Sequence, residues 1–205
     1  LVQRGYKEVV LTGIHISSYG TDFGQQGLLD LIKSIQKIEG LHRIRLGSLE
    51  PRIVTEEFAV ELSKLSKVCP HFHLSLQSGS LNTLKRMNRH YTPGEYLKGV
   101  EELRKAFVNP AITTDVIVGF PGETEEEFEN SRKAMEEFKY NMAYIAQYSV
   151  RPGAVASTWA DDVPKETKKK RYHILTDELM KHSLVYNQGL VGKTLKVIAT
   201  GFDRN

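Results

Sequence analysis

The sequence predicts an α/β fold in which a parallel sheet carries helices on its outer side. Short β-rich runs alternate with amphipathic helical stretches at about the spacing of a βα unit, and such alternation is typical of parallel sheets. The runs cover residues 8–11, 44–46, 72–76, 113–118 and 143–148. They fit an open doubly wound sheet or part of a barrel, with right-handed connections in either case.

The first two helices are predicted by different signals. Apolar side chains recur at helical spacing after the first run and would form one buried stripe: Leu28, Leu31, Ile32, Ile35 and Ile38. The second helix is predicted from its start, because Thr55 can cap a first turn that carries Glu56 and Glu57.

Two later helices begin at capping boxes, in which a Thr hydroxyl accepts from a backbone amide and a Glu three residues on reaches back. The pairs are Thr92 with Glu95 and Thr124 with Glu127. Pro93 suits the first helical position because no backbone donor is needed there.

A final long helix is predicted from near Pro164 to Tyr186, ending before Gly189. A strand is predicted after it, from Thr194 to Ala199, and this strand has no partner in the preceding pattern. We therefore expect a main domain at 1–188 and the start of a separate β-rich domain at 189–205.

The composition is that of an ordinary soluble globular protein, with 205 residues, 40% of them hydrophobic and 26% charged. No apolar run approaches the roughly 20 residues that cross a bilayer, and the first residues lack the order of a secretory signal. We expect a cytoplasmic protein. The net charge of +3 gives weak support for a polyanionic partner, and the basic run at 165–171 is interpreted first as a solvated helix face.

Cys69 is the only cysteine in the sequence. It excludes an internal disulfide and any metal or iron–sulfur site that takes several thiolates from this chain. His71 and His73 have a spacing that can resemble metal ligands, but no third ligand is apparent nearby, so we predict no metal site.

Ligands of parallel α/β folds bind beyond the carboxyl ends of the strands, so the polar residues after each run are candidates for a site. Gly13 and His15 follow the first run; the glycine lets backbone approach a ligand, although a turn with a surface histidine explains the pair equally well. Ser48 and Glu50 follow the second run. Glu50 could accept from an amine or a ribose hydroxyl, or could simply precede a loop proline.

The later strand ends add further candidates. Gln77 and Ser78 supply donors and acceptors at the tip of the third run. Gly119 leaves room for a flat group after the fourth, where the glutamates at 123–127 would repel phosphate and favour a cationic or neutral ligand. Arg151, after the fifth run, could hold a carboxylate or phosphate bidentately, or could anchor its loop.

Taken in order, these segments resemble the radical S-adenosylmethionine (SAM) methylthiotransferases over nearly the whole chain. The most specific stretches are HLSLQSGS at 73–80, LKRMNRHYT at 84–92, TTDVIVGFPGET at 113–124 and RPG at 151–153. The opening LTGIHISSYG and the later IRLGSLEP are similar to the branch that acts on N6-threonylcarbamoyladenosine beside the tRNA anticodon. Leu81 and Ala154 stand where relatives usually carry Asp and Thr.

The resemblance implies a partial (β/α) barrel of the radical SAM type. In that family a [4Fe–4S] cluster cleaves SAM reductively to a 5′-deoxyadenosyl radical, which abstracts hydrogen from the inert adenine carbon, and sulfur comes from an auxiliary cluster. The implied partners are tRNA and an electron donor that reduces the cluster.

The resemblance also implies roles for the strand-end residues. Gly13 and His15 match the segment that contacts the methionine amino end of SAM. Residues expected to face SAM from strand ends are Ser48, Glu50, Gln77 and Ser78, and the residues expected to pack on its adenine are Ile117 and Gly119. Arg89, Asp115 and Arg151 are expected at the rim of the site, with no definite role.

The CxxxCxxC loop that binds the cluster in this family does not occur in the sequence. We expect Leu1 to follow that loop and the first barrel strand, and we expect this chain alone to be catalytically inert. Two other readings remain open: a methylthiotransferase that acts on a ribosomal-protein aspartate, and a non-catalytic α/β module that binds a nucleoside or RNA.

Overall fold

The computed structural model describes residues 1–22, 27–199 and 201. Its strands are β1 (Glu8–Leu11), β2 (Arg43–Leu46), β3 (His71–His73), β4 (Ala111–Val118) and β5 (Met142–Gln147). Its helices are α1 (Leu28–Gln36), α2 (Glu56–Ser63), α3 (Leu81–Arg86), α4 (Pro93–Ala106), α5 (Glu125–Phe138) and α6 (Lys165–Gln188). The predicted alternation of strands and helices is confirmed.

All paired strands run parallel. β1 pairs with β2, and β3, β4 and β5 form a second sheet in chain order. Isolated parallel bridges continue the pairing between the two sheets, from Ile44 to Val68 and from Leu49 to Leu74. Strands that follow one another in chain order and pair in parallel form an arc of the (β/α) barrel type, which agrees with the predicted partial barrel.

One face of this arc is apolar and lies under the helices. Ile44, Phe72, Ile112 and Val116 are fully buried, and they join a single core with the inward faces of the helices. Tyr96 of α4 stacks on Phe138 of α5, with ring centroids 5.3 Å apart. Burial of this size supplies most of the stability of such a domain.

The alternate residues of the strands form what we call the polar face. The ladder registers place Glu8 beside Arg43, His73 beside Thr113, and Asp115 beside Tyr144, on the side opposite the apolar residues. The polar face consists of Glu8, Arg43, Arg45, His71, His73, Thr113, Asp115 and Tyr144. Tyr144 is 61% exposed, so this side of the arc is open.

The predicted helix starts are confirmed. Thr55 accepts from the amide of Phe58 at the start of α2. Both capping boxes form, with reciprocal hydrogen bonds between Thr92 and Glu95 and between Thr124 and Glu127. The stripe on α1 is shorter than predicted, because the helix ends at Gln36 and Ile38 beyond it is 45% exposed.

The third strand is also shorter than predicted. Regular strand pairing covers His71–His73. Beyond it, the backbone carbonyls of Ser75 and Leu76 accept hydrogen bonds from a side chain, the Tyr91 hydroxyl. Strand-like contacts return at Gln77, whose amide donates to the Asp115 carbonyl.

The strand predicted at Thr194–Ala199 is wrong. α6 ends near its predicted position, but residues 193–199 have no regular secondary structure. A strand needs a ladder partner for its backbone groups, and the Lys196 carbonyl instead accepts from the Arg43 guanidinium at 3.4 Å. The residues at 200 and 202–205 lie outside the described part of the chain, so the assignment of 189–205 to a separate domain stays a prediction. Among the described residues, no helix is both long and apolar enough to span a bilayer.

Candidate functional site

A cleft of about 310 Å³ opens at the carboxyl edge of β1, β2 and β3. We call it the rim cleft. Its polar lining includes His15, Ser48, Glu50, Ser75 and Arg89. The structure therefore brings together four of the predicted site residues: His15 follows β1, Ser48 and Glu50 follow β2, and Arg89 follows α3. Gly13 lies in the exposed loop that leads to His15.

Glu50 is the most constrained side chain of the rim cleft. Its Oε2 lies 2.7 Å from Nε2 of His15, its Oε1 accepts from Nε of Arg52, and its amide donates to Ser17 Oγ at 3.0 Å. Partial burial raises the pKa of the Glu50 carboxyl, but the hydrogen bonds from Arg52 and His15 lower it more, so the pKa lies below its ordinary value. Glu50 is thus a fixed carboxylate at neutral pH.

Tyr91 holds the backbone at the floor of the cleft. Its hydroxyl donates to the Ser75 carbonyl at 2.6 Å and to the Leu76 carbonyl at 3.0 Å. Burial raises the pKa of Tyr91 to about 12, so the hydroxyl stays protonated and keeps donating. The end of β3 is positioned by this tyrosine, which sequence reasoning did not identify.

Gln77 has a left-handed backbone conformation, with φ of 66°. Its amide donates to the Asp115 carbonyl and its carbonyl accepts from the Ile117 amide, at 2.8 and 2.9 Å. A non-glycine residue in this region costs on the order of 1 kcal/mol or more and persists only where its surroundings enforce it. Here the β4 backbone does so, which places Gln77 at the carboxyl edge beside Ile117.

Ser78 points away from this edge. It is fully buried, its Oγ lies 3.2 Å from Oγ of Ser131 on α5, and it accepts from the Ser80 amide. The left-handed turn at Gln77 directs the chain into the helix layer, where a Cβ on Gly79 would lie 2.5 Å from the Asn130 carbonyl oxygen. The structure therefore places Ser78 in a packing contact outside the rim cleft.

Gly119, Gln77 and Arg151 all lie at the carboxyl edge of the second sheet, because Gly119 follows the end of β4 and Arg151 follows the end of β5. The space beside Gly119 is filled by another side chain. Its φ is 71°, and a Cβ there would lie 2.4 Å from Cγ of Lys168. The glycine at position 119 is therefore needed because Lys168 packs against it, and Lys168 occupies the space where a flat ligand was predicted. Arg151 is exposed and does not line the rim cleft.

Lys168 is an exception to the prediction that the basic run is a solvated face, which holds for the exposed Lys165, Lys169 and Lys170. It is 3% exposed, and its Nζ donates to Asp161 and to the Tyr148 carbonyl at 3.2 Å. The ammonium group also lies 5.1 Å from the centre of the Tyr148 ring. The buried cation thereby joins α6 to the segment after β5, while its aliphatic stem lies against Gly119 after β4.

Arg171, one turn further along α6, is also buried. Its Nη1 donates to the Glu123 carboxylate at 2.8 Å and its Nη2 donates to Glu125 at 3.0 Å. Glu123 in turn accepts from the Gly119 amide at 2.6 Å. Burial raises the pKa of the Glu123 carboxyl, although the Gly119 amide and Arg171 favour its charged form. Local sequence patterns do not indicate this cluster, because Arg171 lies more than forty residues from Glu123 and Glu125.

The polar face carries a second set of connected side chains. His73 Nδ1 lies 3.0 Å from Thr113 Oγ1, and His73 Nε2 lies 3.1 Å from Asp115 Oδ2. His71 Nε2 lies 3.4 Å from the same Thr113 hydroxyl. The Asp115 side chain, predicted at the rim of the site, is thus held in position by His73 of β3. No group of three or more metal-ligating side chains occurs among the residues that the structure describes.

The model of the radical SAM superfamily matches residues 1–135. This chain belongs to the radical SAM superfamily. Enzymes of the superfamily use SAM and a [4Fe–4S] cluster. Cys69, the one cysteine, lies before β3 at the opposite edge from the rim cleft, and burial raises the pKa of its thiol. The residues of this radical SAM chain therefore do not supply the thiolates of a cluster.

The predicted resemblance to the methylthiotransferases is confirmed by two relatives. The threonylcarbamoyladenosine tRNA methylthiotransferase MtaB of Thermotoga maritima is 38% identical over 199 residues, which are 97% of this chain and 46% of that protein. The tRNA-2-methylthio-N(6)-dimethylallyladenosine synthase of Clostridium botulinum is 38% identical over 206 residues, 100% of this chain and 46% of that protein. The chain spans about half the length of these relatives.

Solved structures confirm the fold. Coproporphyrinogen III oxidase (HemN) from Escherichia coli, described as a radical SAM enzyme, matches with a TM-score of 0.63 at 16% identity, over 86% of this chain and 40% of that one. Methylornithine synthase matches with a TM-score of 0.58 at 13% identity, over 89% of this chain and 55% of that one. At these identities the likeness concerns the fold alone.

Proposed function

We propose that this chain is the SAM-binding core of a cytoplasmic methylthiotransferase that adds a methylthio group to C2 of N6-threonylcarbamoyladenosine beside the tRNA anticodon. The observation that carries the proposal is the rim cleft, where polar side chains converge at the carboxyl edge of a radical SAM arc. The relative that acts on threonylcarbamoyladenosine, 38% identical over 97% of this chain, supports the choice of substrate.

The rim cleft has the charges that a zwitterionic amino-acid end requires. Glu50 presents a fixed carboxylate to an ammonium group, and each of its oxygens accepts one hydrogen bond in the structure, which leaves acceptor capacity on both. Arg89 lines the same cleft with a guanidinium that can hold a carboxylate. Ser48 adds a hydroxyl on the same wall.

Gln77 and Ile117 would form the side of the site that faces the adenine of SAM. Their backbones are joined by a hydrogen bond of 2.9 Å, and Ile117 is only partly buried, so its apolar surface is available to a flat base. SAM, when bound beside a reduced cluster, supplies the radical that activates the adenine carbon of the substrate. In this proposal the cluster and the sulfur source are held by residues other than these, and a separate electron donor reduces the cluster.

The first test measures SAM binding to the full-length protein. Glu50→Gln keeps the shape of the side chain and removes its charge, so we expect the dissociation constant for SAM to rise roughly tenfold to a hundredfold. Glu101→Gln, on the exposed side of α4, is the matched control and should leave the constant unchanged. Equal constants for all three proteins would contradict a role for the rim cleft in SAM binding.

The second test concerns the substrate. Mass spectrometry of tRNA nucleosides from a strain that lacks the gene should show loss of methylthio-N6-threonylcarbamoyladenosine, and the gene on a plasmid should restore it. The dimethylallyladenosine relative matches this chain with the same identity, so loss of the methylthio-isopentenyl nucleoside would assign the enzyme to that branch. If neither nucleoside changes, the proposed function fails.

A further inference from the structure

The open part of the polar face, on β3, β4 and β5, has features that binding of SAM at the rim cleft does not use. His73, Thr113, Asp115 and Tyr144 lie on adjacent strands, in the registers His73 to Thr113 and Asp115 to Tyr144. None of them lines the rim cleft. Their arrangement combines a fixed acceptor with an exposed aromatic ring.

The hydrogen bonds that connect His71, Thr113, His73 and Asp115 have a defined direction, because they end at a carboxylate. A carboxylate only accepts, so Nε2 of His73 donates to Asp115 and its Nδ1 accepts from the Thr113 hydroxyl in the neutral imidazole. His71 Nε2 can then donate to Thr113. Burial lowers the pKa of His71, which keeps that ring neutral. Each of these three hydrogen bonds is therefore donated in the direction of Asp115.

Asp115 retains the capacity to bind a ligand. His73 holds one carboxylate oxygen, Oδ2, and the Asp115 side chain is 39% exposed. A carboxylate has about four lone-pair positions. A carboxylate whose orientation is fixed, and which faces an open surface, suits a ligand that presents an N–H group.

Tyr144 supplies a flat surface beside this acceptor. It is directly opposite Asp115 in the ladder, it is 61% exposed, and its ring centroid lies 6.2 Å from that of His73. Exposed aromatic side chains bind extruded bases by stacking, with a contribution of roughly 1–3 kcal/mol per base. The Tyr144 ring can stack on a base while the neighbouring Asp115 carboxylate accepts a hydrogen bond from an N–H group of that base.

We propose that the polar face of β3–β5 holds the base of the substrate nucleotide, with Tyr144 stacking on the ring and Asp115 accepting from the N–H on N6. His73 and Thr113 are positioning residues that hold Asp115. The ligand class is an N6-substituted adenine extruded from RNA. This inference rests on the proposed function, because it names the place where that substrate binds.

The experiment uses full-length protein and two RNAs, an anticodon stem-loop with N6-threonylcarbamoyladenosine and the same stem-loop with an abasic site at that position. Tyr144→Leu should weaken binding of the modified RNA about fivefold to a hundredfold and leave binding of the abasic RNA unchanged. Tyr144→Phe should restore the affinity, because it keeps the stacking ring. Asp115→Asn should weaken binding of the modified RNA only.

Tyr6→Leu is the control, since Tyr6 is a similarly exposed tyrosine, 56% accessible, in the loop before β1. It should bind both RNAs as the unaltered protein does. The subsite is overturned if the unaltered protein prefers the modified RNA but Tyr144→Leu and Asp115→Asn keep that preference, or if the variants lose both RNAs equally. The proposed function, in contrast, fails if the unaltered protein does not prefer the modified RNA at all.

Discussion

Two parts of the same carboxyl edge use charge in opposite ways. After β1, β2 and β3, the charged groups Glu50 and Arg89 line an open cleft. After β4 and β5, Glu123 is buried together with Lys168 and Arg171 of α6, and these groups bond to one another or to loop backbone. The comparison shows that a charged residue at a strand end does not by itself indicate a ligand site. An exposed group is available to a ligand, whereas a buried group stabilises the fold.

The largest effect is expected in the buried part. Arg171→Met leaves the Glu123 carboxylate buried without its cation, and breaking a buried pair in this way costs about 3–5 kcal/mol. Urea unfolding would measure the change in the free energy of unfolding. Lys170→Met, the exposed neighbour on the same helix, should change it by less than about 0.5 kcal/mol. Similar values for the two variants would refute the assigned difference between them.

The next effect separates backbone strain from steric contact. Gly119 and Gly153 both have positive φ, 71° and 84°, but a Cβ meets Lys168 only at Gly119. Gly153→Ala should cost on the order of 1 kcal/mol from backbone strain alone, and Gly119→Ala should cost on the order of 1 kcal/mol more, because the Lys168 chain has to move. Thermal unfolding of the two variants checks this order.

A smaller effect depends on pH. Hydrogen bonds from Arg86 lower the pKa of Glu127 below its ordinary value of 4.5, and partial burial only partly opposes them. A carboxyl whose pKa is lower in the folded state stabilises the fold above the unfolded pKa, and this stability is lost as the pH falls through the folded pKa.

We therefore expect the urea concentration at the unfolding midpoint to decrease as the pH is lowered below 4.5. The decrease should be steeper for the unaltered protein than for Arg86→Met, because the variant has already lost the pair. Because Arg86 is partly exposed, the contribution should be about 1–2 kcal/mol. Parallel curves for the two proteins between pH 5 and 3 would show that the pair does not cause the loss.

The smallest effect on stability is expected in the rim cleft. Arg89 is exposed, so Arg89→Ala should change the free energy of unfolding by less than about 0.5 kcal/mol while it weakens SAM binding. Calorimetric titration together with urea unfolding separates the two quantities. A large loss of stability would place Arg89 with the supporting cluster instead.

The parts of the fold that the sequence could predict are those with local signals. The capping boxes at Thr92 and Thr124 and the end of α6 before Gly189 depend on residues a few positions apart, and the structure agrees with them. The predicted convergence of strand-end residues holds for His15, Ser48 and Glu50, because parallel strands in chain order bring their carboxyl ends to one edge.

The rest depended on contacts between distant residues. The burial of Lys168 and Arg171 follows from partners in loops that a charge pattern does not reveal. The direction of Ser78 depends on the left-handed conformation of the residue before it, and a single such residue turns the next side chain to the other layer. The link between His73 and Asp115 required the register of β3 against β4, which local patterns do not determine.

The contact at Gly79 has a mechanical consequence for the chain that follows β3. There the backbone approaches the α5 backbone without any side chain between them, so this segment, which does not line the rim cleft, cannot move closer to α5 unless the whole helix moves. Residues 12–15, directly after β1, are different, since Gly13 and Ile14 are exposed and a Cβ on Gly13 would have no neighbour closer than 3.9 Å. The side of the rim cleft that carries His15 therefore has more room to adjust around a bound ligand than the backbone after β3 has.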